Sequence, residues 1–118
     1  MPAPFKLKPV IYQGATFDDV LTWKSAGVPV DLTGCTARMQ VREQIDSPSV
    51  LLSLTTENGG IVLGGTSGTV SIQMSAVDTA AITWTAGVFD LEIIFADGVT
   101  VRRLLSGSIS VSPEVTRD

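Results

Sequence analysis

Side chains able to do acid–base, nucleophilic or metal chemistry are sparse in this sequence. It has no histidine, which removes the commonest general base and the commonest transition-metal ligand together. A serine nucleophile needs a base to take its proton, and Lys6, Lys8 and Lys24 stand in no Ser-Lys motif. Gly65-Thr66-Ser67-Gly68 has the outline of a nucleophile turn. It lacks the second spaced glycine and the strand-turn-helix setting, so it reads as a flexible loop. The glycine pairs at 59–60 and 64–65 lack the Gly-Lys-Ser/Thr ending that cradles phosphate. Asp18 and Asp19 are neighbours on a predicted strand, where adjacent side chains diverge. They read as solvated charges, and no spaced acidic loop offers a calcium site. Cys35 is alone, so it closes no disulfide. On the apolar face of its strand it reads as a buried, inert thiol. No catalytic, metal or cofactor site is expected.

The aromatic residues offer binding rather than catalysis. Trp23, Trp84 and Tyr12 would serve as a sugar-stacking platform if they converged, but packing in a core or interface is the simpler reading. Trp84, between Thr83 and Thr85 and close to Gly87, has the setting of a half-exposed interface anchor. Phe5, Leu7 and Tyr12 belong to an N-terminal stretch carrying Pro2, Pro4 and Pro9. Proline cannot donate to a sheet ladder, so that stretch reads as an extended arm or an edge strand. The candidate interface residues are therefore Phe5, Leu7, Tyr12 and Trp84.

Strands must position these groups. From 35 to 42, Cys35, Ala37, Met39 and Val41 alternate with Thr36, Arg38, Gln40 and Arg42, the period of a half-buried strand. From 88 to 95, Phe89, Leu91, Ile93 and Phe95 share one face. Residues 15–24, 50–55, 61–63, 69–74 and 99–111 are further strand candidates, with Gly107 a bulge candidate. Glu57-Asn58-Gly59-Gly60 is a hairpin signal. Ala96-Asp97-Gly98 predicts a three-residue loop setting Phe95 opposite Val99, Ile93 opposite Val101 and Glu92 opposite Arg102. In that register Phe89 meets Leu105 and Leu91 meets Arg103. Residues 75–82 form the one credible helix, capped by Ser75 with Asp78 three residues on, and it should connect two sheets.

Seven to nine short strands with frequent turns and one helical turn predict an all-β fold, an immunoglobulin-like antiparallel sandwich. Its expected parts are an arm or edge strand over 1–12, a sandwich domain over 13–113 and a polar tail over 114–118. A chain of 118 residues suits one domain. Its net charge of -4 disfavours nucleic acid. The charged share is 17%, below the usual value of about 25%, which leaves apolar surface for partners. The N-terminus has no signal-peptide apolar region, and no apolar run approaches the roughly 18 residues of a membrane span. Synthesis in a reducing cytoplasm fits the lone cysteine.

One string goes further. Gly14-Ala15-Thr16-Phe17, Leu21-Thr22-Trp23, Pro29-Val30-Asp31-Leu32-Thr33-Gly34 and Ala37-Arg38-Met39-Gln40-Val41-Arg42 occur in succession. Thr56-Glu57-Asn58-Gly59-Gly60-Ile61 and Gly68-Thr69-Val70 follow. The pattern, over about residues 11–115, resembles the N-terminal domain of tailed-bacteriophage baseplate upper proteins. It is also similar to short proteins encoded among phage head and tail genes. The resemblance implies an immunoglobulin-like sandwich assembled into a virion in the bacterial cytoplasm, with other virion proteins and copies of itself as partners. This chain stops where a full baseplate upper protein continues into a receptor-displaying scaffold. The expectation is a non-catalytic tail, baseplate or neck accessory subunit. Head decoration and carbohydrate-binding host adhesion are the alternatives.

Overall fold

A computed structural model describes residues 5–117, the side chains of residues 5 and 6 lying outside the description. The N-terminal strand is interrupted at Lys8-Pro9, giving β1 (Phe5–Leu7) and β2 (Val10–Tyr12). Next come β3 (Phe17–Thr22) and a small hairpin of β4 (Lys24–Ser25) and β5 (Val28–Pro29). β6 (Thr36–Arg42), β7 (Leu52–Thr55), β8 (Ile61–Leu63) and β9 (Thr69–Met74) lead to helix α1 (Ala76–Ala80). β10 (Ala86–Ile94) and β11 (Val101–Ser112) complete the chain. Among the described residues, eleven segments exceed the expected seven to nine because proline splits the first strand and the β4–β5 arms are two residues each.

Alternation decides which faces meet. β6 buries Ala37, Met39 and Val41; β10 buries Phe89, Leu91 and Ile93. These strands pair antiparallel at the centre of a sheet ordered β1–β11–β10–β6–β7, with β2 also on β11. The second sheet is ordered β3–β9–β8. Val70 and Ile72 of β9 and Ile61 of β8 join the first sheet's residues in one core, closed by Trp23, Leu32 and Ile11. Each such side chain contributes about 1.5–3 kcal/mol by leaving water. The arrangement is an immunoglobulin-like sandwich, B–E–D (β3, β9, β8) against C′–C–F–G (β7, β6, β10, β11). The N-terminal segments pair in parallel with β11, the one departure from the antiparallel pattern among the described residues.

The β10–β11 register differs from the expected one. Phe95 donates its N–H to the Thr100 carbonyl, so the loop holds four residues, 96–99, rather than three. Asp97 is the cause. One carboxylate oxygen accepts from the N–H groups of Val99 and Thr100, the other from the Thr100 hydroxyl, at 2.7–2.8 Å. Ile93 therefore faces Arg102, and Glu92 faces Arg103. A bulge then shifts the ladder, so Leu91 meets Leu105, not Arg103, and Phe89 meets Gly107, not Leu105. The bulge lets the adjacent Leu104 and Leu105 both reach the interior.

Gly107 is thus not the bulge. With φ +156°, it gives room to β1, because a Cβ there would overlap the Leu7 carbonyl. Asn58-Gly59-Gly60 is not a hairpin turn either. β7 and β8 belong to different sheets, and this segment carries the chain between them. Asn58 fixes the crossing: its Oδ1 accepts from the N–H groups of Thr55 and Gly60, and its Nδ2 donates to the Ser53 carbonyl. Cys35 precedes β6 and is half-buried rather than buried. Partial burial raises its thiol pKa; the Ala96 backbone hydrogen bond opposes the rise, and the Asp31 and Asp97 carboxylates add to it.

The helix is shorter than expected, five residues, and links β9 to β10 across the sheets. The Asp78 N–H donates to Ser75 Oγ, capping its start. A helix this short holds only through tertiary contacts, and Thr79, fully buried, supplies them. Its hydroxyl donates to the Ala15 carbonyl at 2.8 Å and accepts from the Gly14 N–H at 3.0 Å. Gln13 adds a second clasp, donating to the Ile82 carbonyl and accepting from the Glu114 N–H.

Candidate functional site

The clasped helix holds open one end of the sandwich. There β3 begins, β9 ends and β7 passes, and their side chains do not meet fully. The result is a cleft of about 700 Å³. Its apolar lining includes Phe17, Met74, Leu51, Leu52, Leu54 and Ile82. Asp18, Asp78, Asn58 and Gln73 give it a polar rim. None of the lining residues is Lys or Arg. Trp84 also lines it, half-buried against the core. The other flank of Trp84 faces a smaller hollow of about 390 Å³ beside Gln13, Val111 and Pro113. Trp84 is therefore an aromatic wedge between two depressions.

Electrostatics set this end apart. Asp18 and Asp78 are exposed, and neither carboxylate takes part in a hydrogen bond or ion pair among the described residues. The carboxylates at the opposite end are occupied. Asp31 accepts from the Thr33 hydroxyl at 2.6 Å and from its N–H, and those bonds hold its pKa below the ordinary range. Asp97 is held low by Thr100 first and Val99 after it. On the outer face of the first sheet, Arg38 pairs with Glu92 at 2.9 Å and Arg103 with Asp90 at 3.6 Å. Such exposed pairs contribute little stability. No group of three or more potential ligands converges to hold a metal among the described residues. None of their helices is long and apolar enough to cross a membrane.

The residues singled out from the sequence are dispersed. Trp84 is at the cleft. Leu7 and Tyr12, 36% and 63% exposed, sit on the β1–β2 margin of the first sheet. Phe5 is on that same margin by its backbone, while its side chain lies outside the described residues. Trp23 is only 1% exposed and packs 6.0 Å from the Phe95 ring, at the end of β3 away from the cleft. Trp23 and Trp84 thus form no common sugar platform. Asp18 lines the cleft and Asp19 does not, as adjacent strand residues require. Gln13 and Thr79, which build the site, carried no signal, because the partners that tie them to it are more than sixty positions away, while Asn58 was marked only as part of a hairpin turn.

No family model and no curated protein matches the chain. Among solved structures, the crystal structure of a chicken TCR is similar, with a TM-score of 0.54 over 96% of this chain and 12% identity. This chain spans 57% of the length of that one. At that identity the likeness is one of fold alone, and the fold it supports is the immunoglobulin-like β-sandwich.

Proposed function

We propose that this chain is a non-catalytic assembly subunit of a tailed-bacteriophage particle, a tail, baseplate or neck accessory that works by protein–protein contact. The observation that carries the reading is a sandwich with uncovered margins. Among the described residues, β3 has a neighbour, β9, on one side only, along all six residues. In the four-stranded A–B–E–D sheet of immunoglobulin domains a first strand covers that margin; here β1 and β2 sit on the other sheet. A bare strand offers unpaired N–H and C=O groups to another chain. The phage assignment draws on the strand-and-turn resemblance over about residues 11–115.

Purified particles of a phage encoding the chain test this directly. Antibody labelling and mass spectrometry should find it at fixed stoichiometry, and deletion of its gene should leave incomplete particles. Complete, infectious particles without the chain would refute the proposal.

A further inference from the structure

We infer that the Trp84 cleft receives the β4–β5 hairpin of a second copy, so that this chain associates head to tail. The inference rests on the assembly reading and specifies its contact. The two surfaces sit at opposite ends of the second sheet. Phe17 pairs with Met74 at the cleft, and Thr22 pairs with Thr69 where the hairpin begins. The six residues of β3 separate them by about 17 Å.

One surface is a knob. Residues 24–29 are exposed throughout, and β4 and β5 pair with each other and with neither large sheet. The tip is Ala26-Gly27, and Ala26 has φ +53°, a left-handed conformation costly for alanine. Strain retained at an exposed tip points to use. Ser25 and Val28, the latter 64% exposed, flank that tip. Lys24, one position back and opposite Pro29, lies on the other face of the hairpin and has no ion-pair partner among the described residues. A hairpin entering a cleft thus presents a valine to one wall and an ammonium to the other. The other surface is a hole with an apolar lining, the half-buried Trp84 and two unpartnered carboxylates. Val28 matches the lining. Lys24 matches Asp18, Asp78 and the face of Trp84, where a cation is attracted both by charge and by the ring. With no cation in its lining, the cleft disfavours anionic ligands. Because knob and hole differ, the contact is heterologous and repeats, closing into a ring or continuing as a stack.

Sedimentation velocity and light scattering on the purified chain, from micromolar to millimolar, provide the test. The wild-type mass should rise with concentration and fall back with added salt. Lys24→Glu and Asp78→Lys, both exposed and confirmed folded by circular dichroism, should each weaken association at least about tenfold. The double variant K24E/D78K, which exchanges the charges, should restore it. A wild-type chain monomeric throughout overturns the inference, whether or not a host oligosaccharide quenches its tryptophan emission. So does association indifferent to both single variants, or a double variant no stronger than either. Self-association and incorporation into particles are read in separate experiments, so a failure of this contact is distinguished from a failure of the assembly reading.

Discussion

Replacing Thr79 by valine keeps the side chain's shape and deletes one hydroxyl. That hydroxyl is fully buried and ties α1 to the turn before β3 through Gly14 and Ala15. Without it the Gly14 N–H and the Ala15 carbonyl lose their partner. A buried polar group left unsatisfied costs about 1–3 kcal/mol, and both here are only partly buried, which favours the low end. The methyl that replaces the hydroxyl returns less than about 1 kcal/mol. The net loss is about 2 kcal/mol, a large part of the roughly 5–15 kcal/mol that holds a domain together. For a chain of this length it should lower Tm by about 8 °C. In urea the midpoint should fall by about 1 M with an unchanged slope. Thr79→Ser is the control: it keeps the hydroxyl, loses one methyl and should cost about 1 kcal/mol. Urea titration followed by tryptophan fluorescence measures all three proteins. A T79V chain at least as stable as T79S would refute the view that hydrogen bonding, rather than packing, anchors the helix.

Ala26→Asn, which suits the left-handed tip, should raise stability by about 1 kcal/mol, read as a Tm about 4 °C higher. Gly107→Ala should lift β1 off β11, costing about 1–3 kcal/mol, with hydrogen exchange accelerated at residues 5–7. The hydrogen bonds of Asp97 lower its pKa in the fold, so it stabilises the fold above the ordinary value of 3.8, and that contribution disappears as pH falls through the lowered pKa. Asp97→Asn should flatten this part of the urea midpoint's dependence on pH, measured from pH 6 downward.

Local pattern made the centre of the first sheet legible. Residues 36–42 and 88–94 alternate because one face of each is dry, and the structure buries the faces so marked. The hairpin register was less so. Its length depends on a side chain, Asp97, competing for the turn's N–H groups, and its bulge on the adjacent Leu104 and Leu105, two apolar neighbours where alternation expects one. Parallel pairing of β1 and β2 with β11 joins the two ends of the chain and has no local signature. The cleft draws on residues near 17, 52, 59, 74 and 82, so no spacing announces it. Trp84 stood out through its neighbours, but its acidic companions came from β3 and α1.

The parallel docking of β1 and β2 on β11 also has a mechanical meaning. Tension that draws residue 5 and residue 112 apart acts along both strands in opposite senses, so the hydrogen bonds between them are strained in shear and share the load. An antiparallel partner gripped at its free end would instead peel away bond by bond.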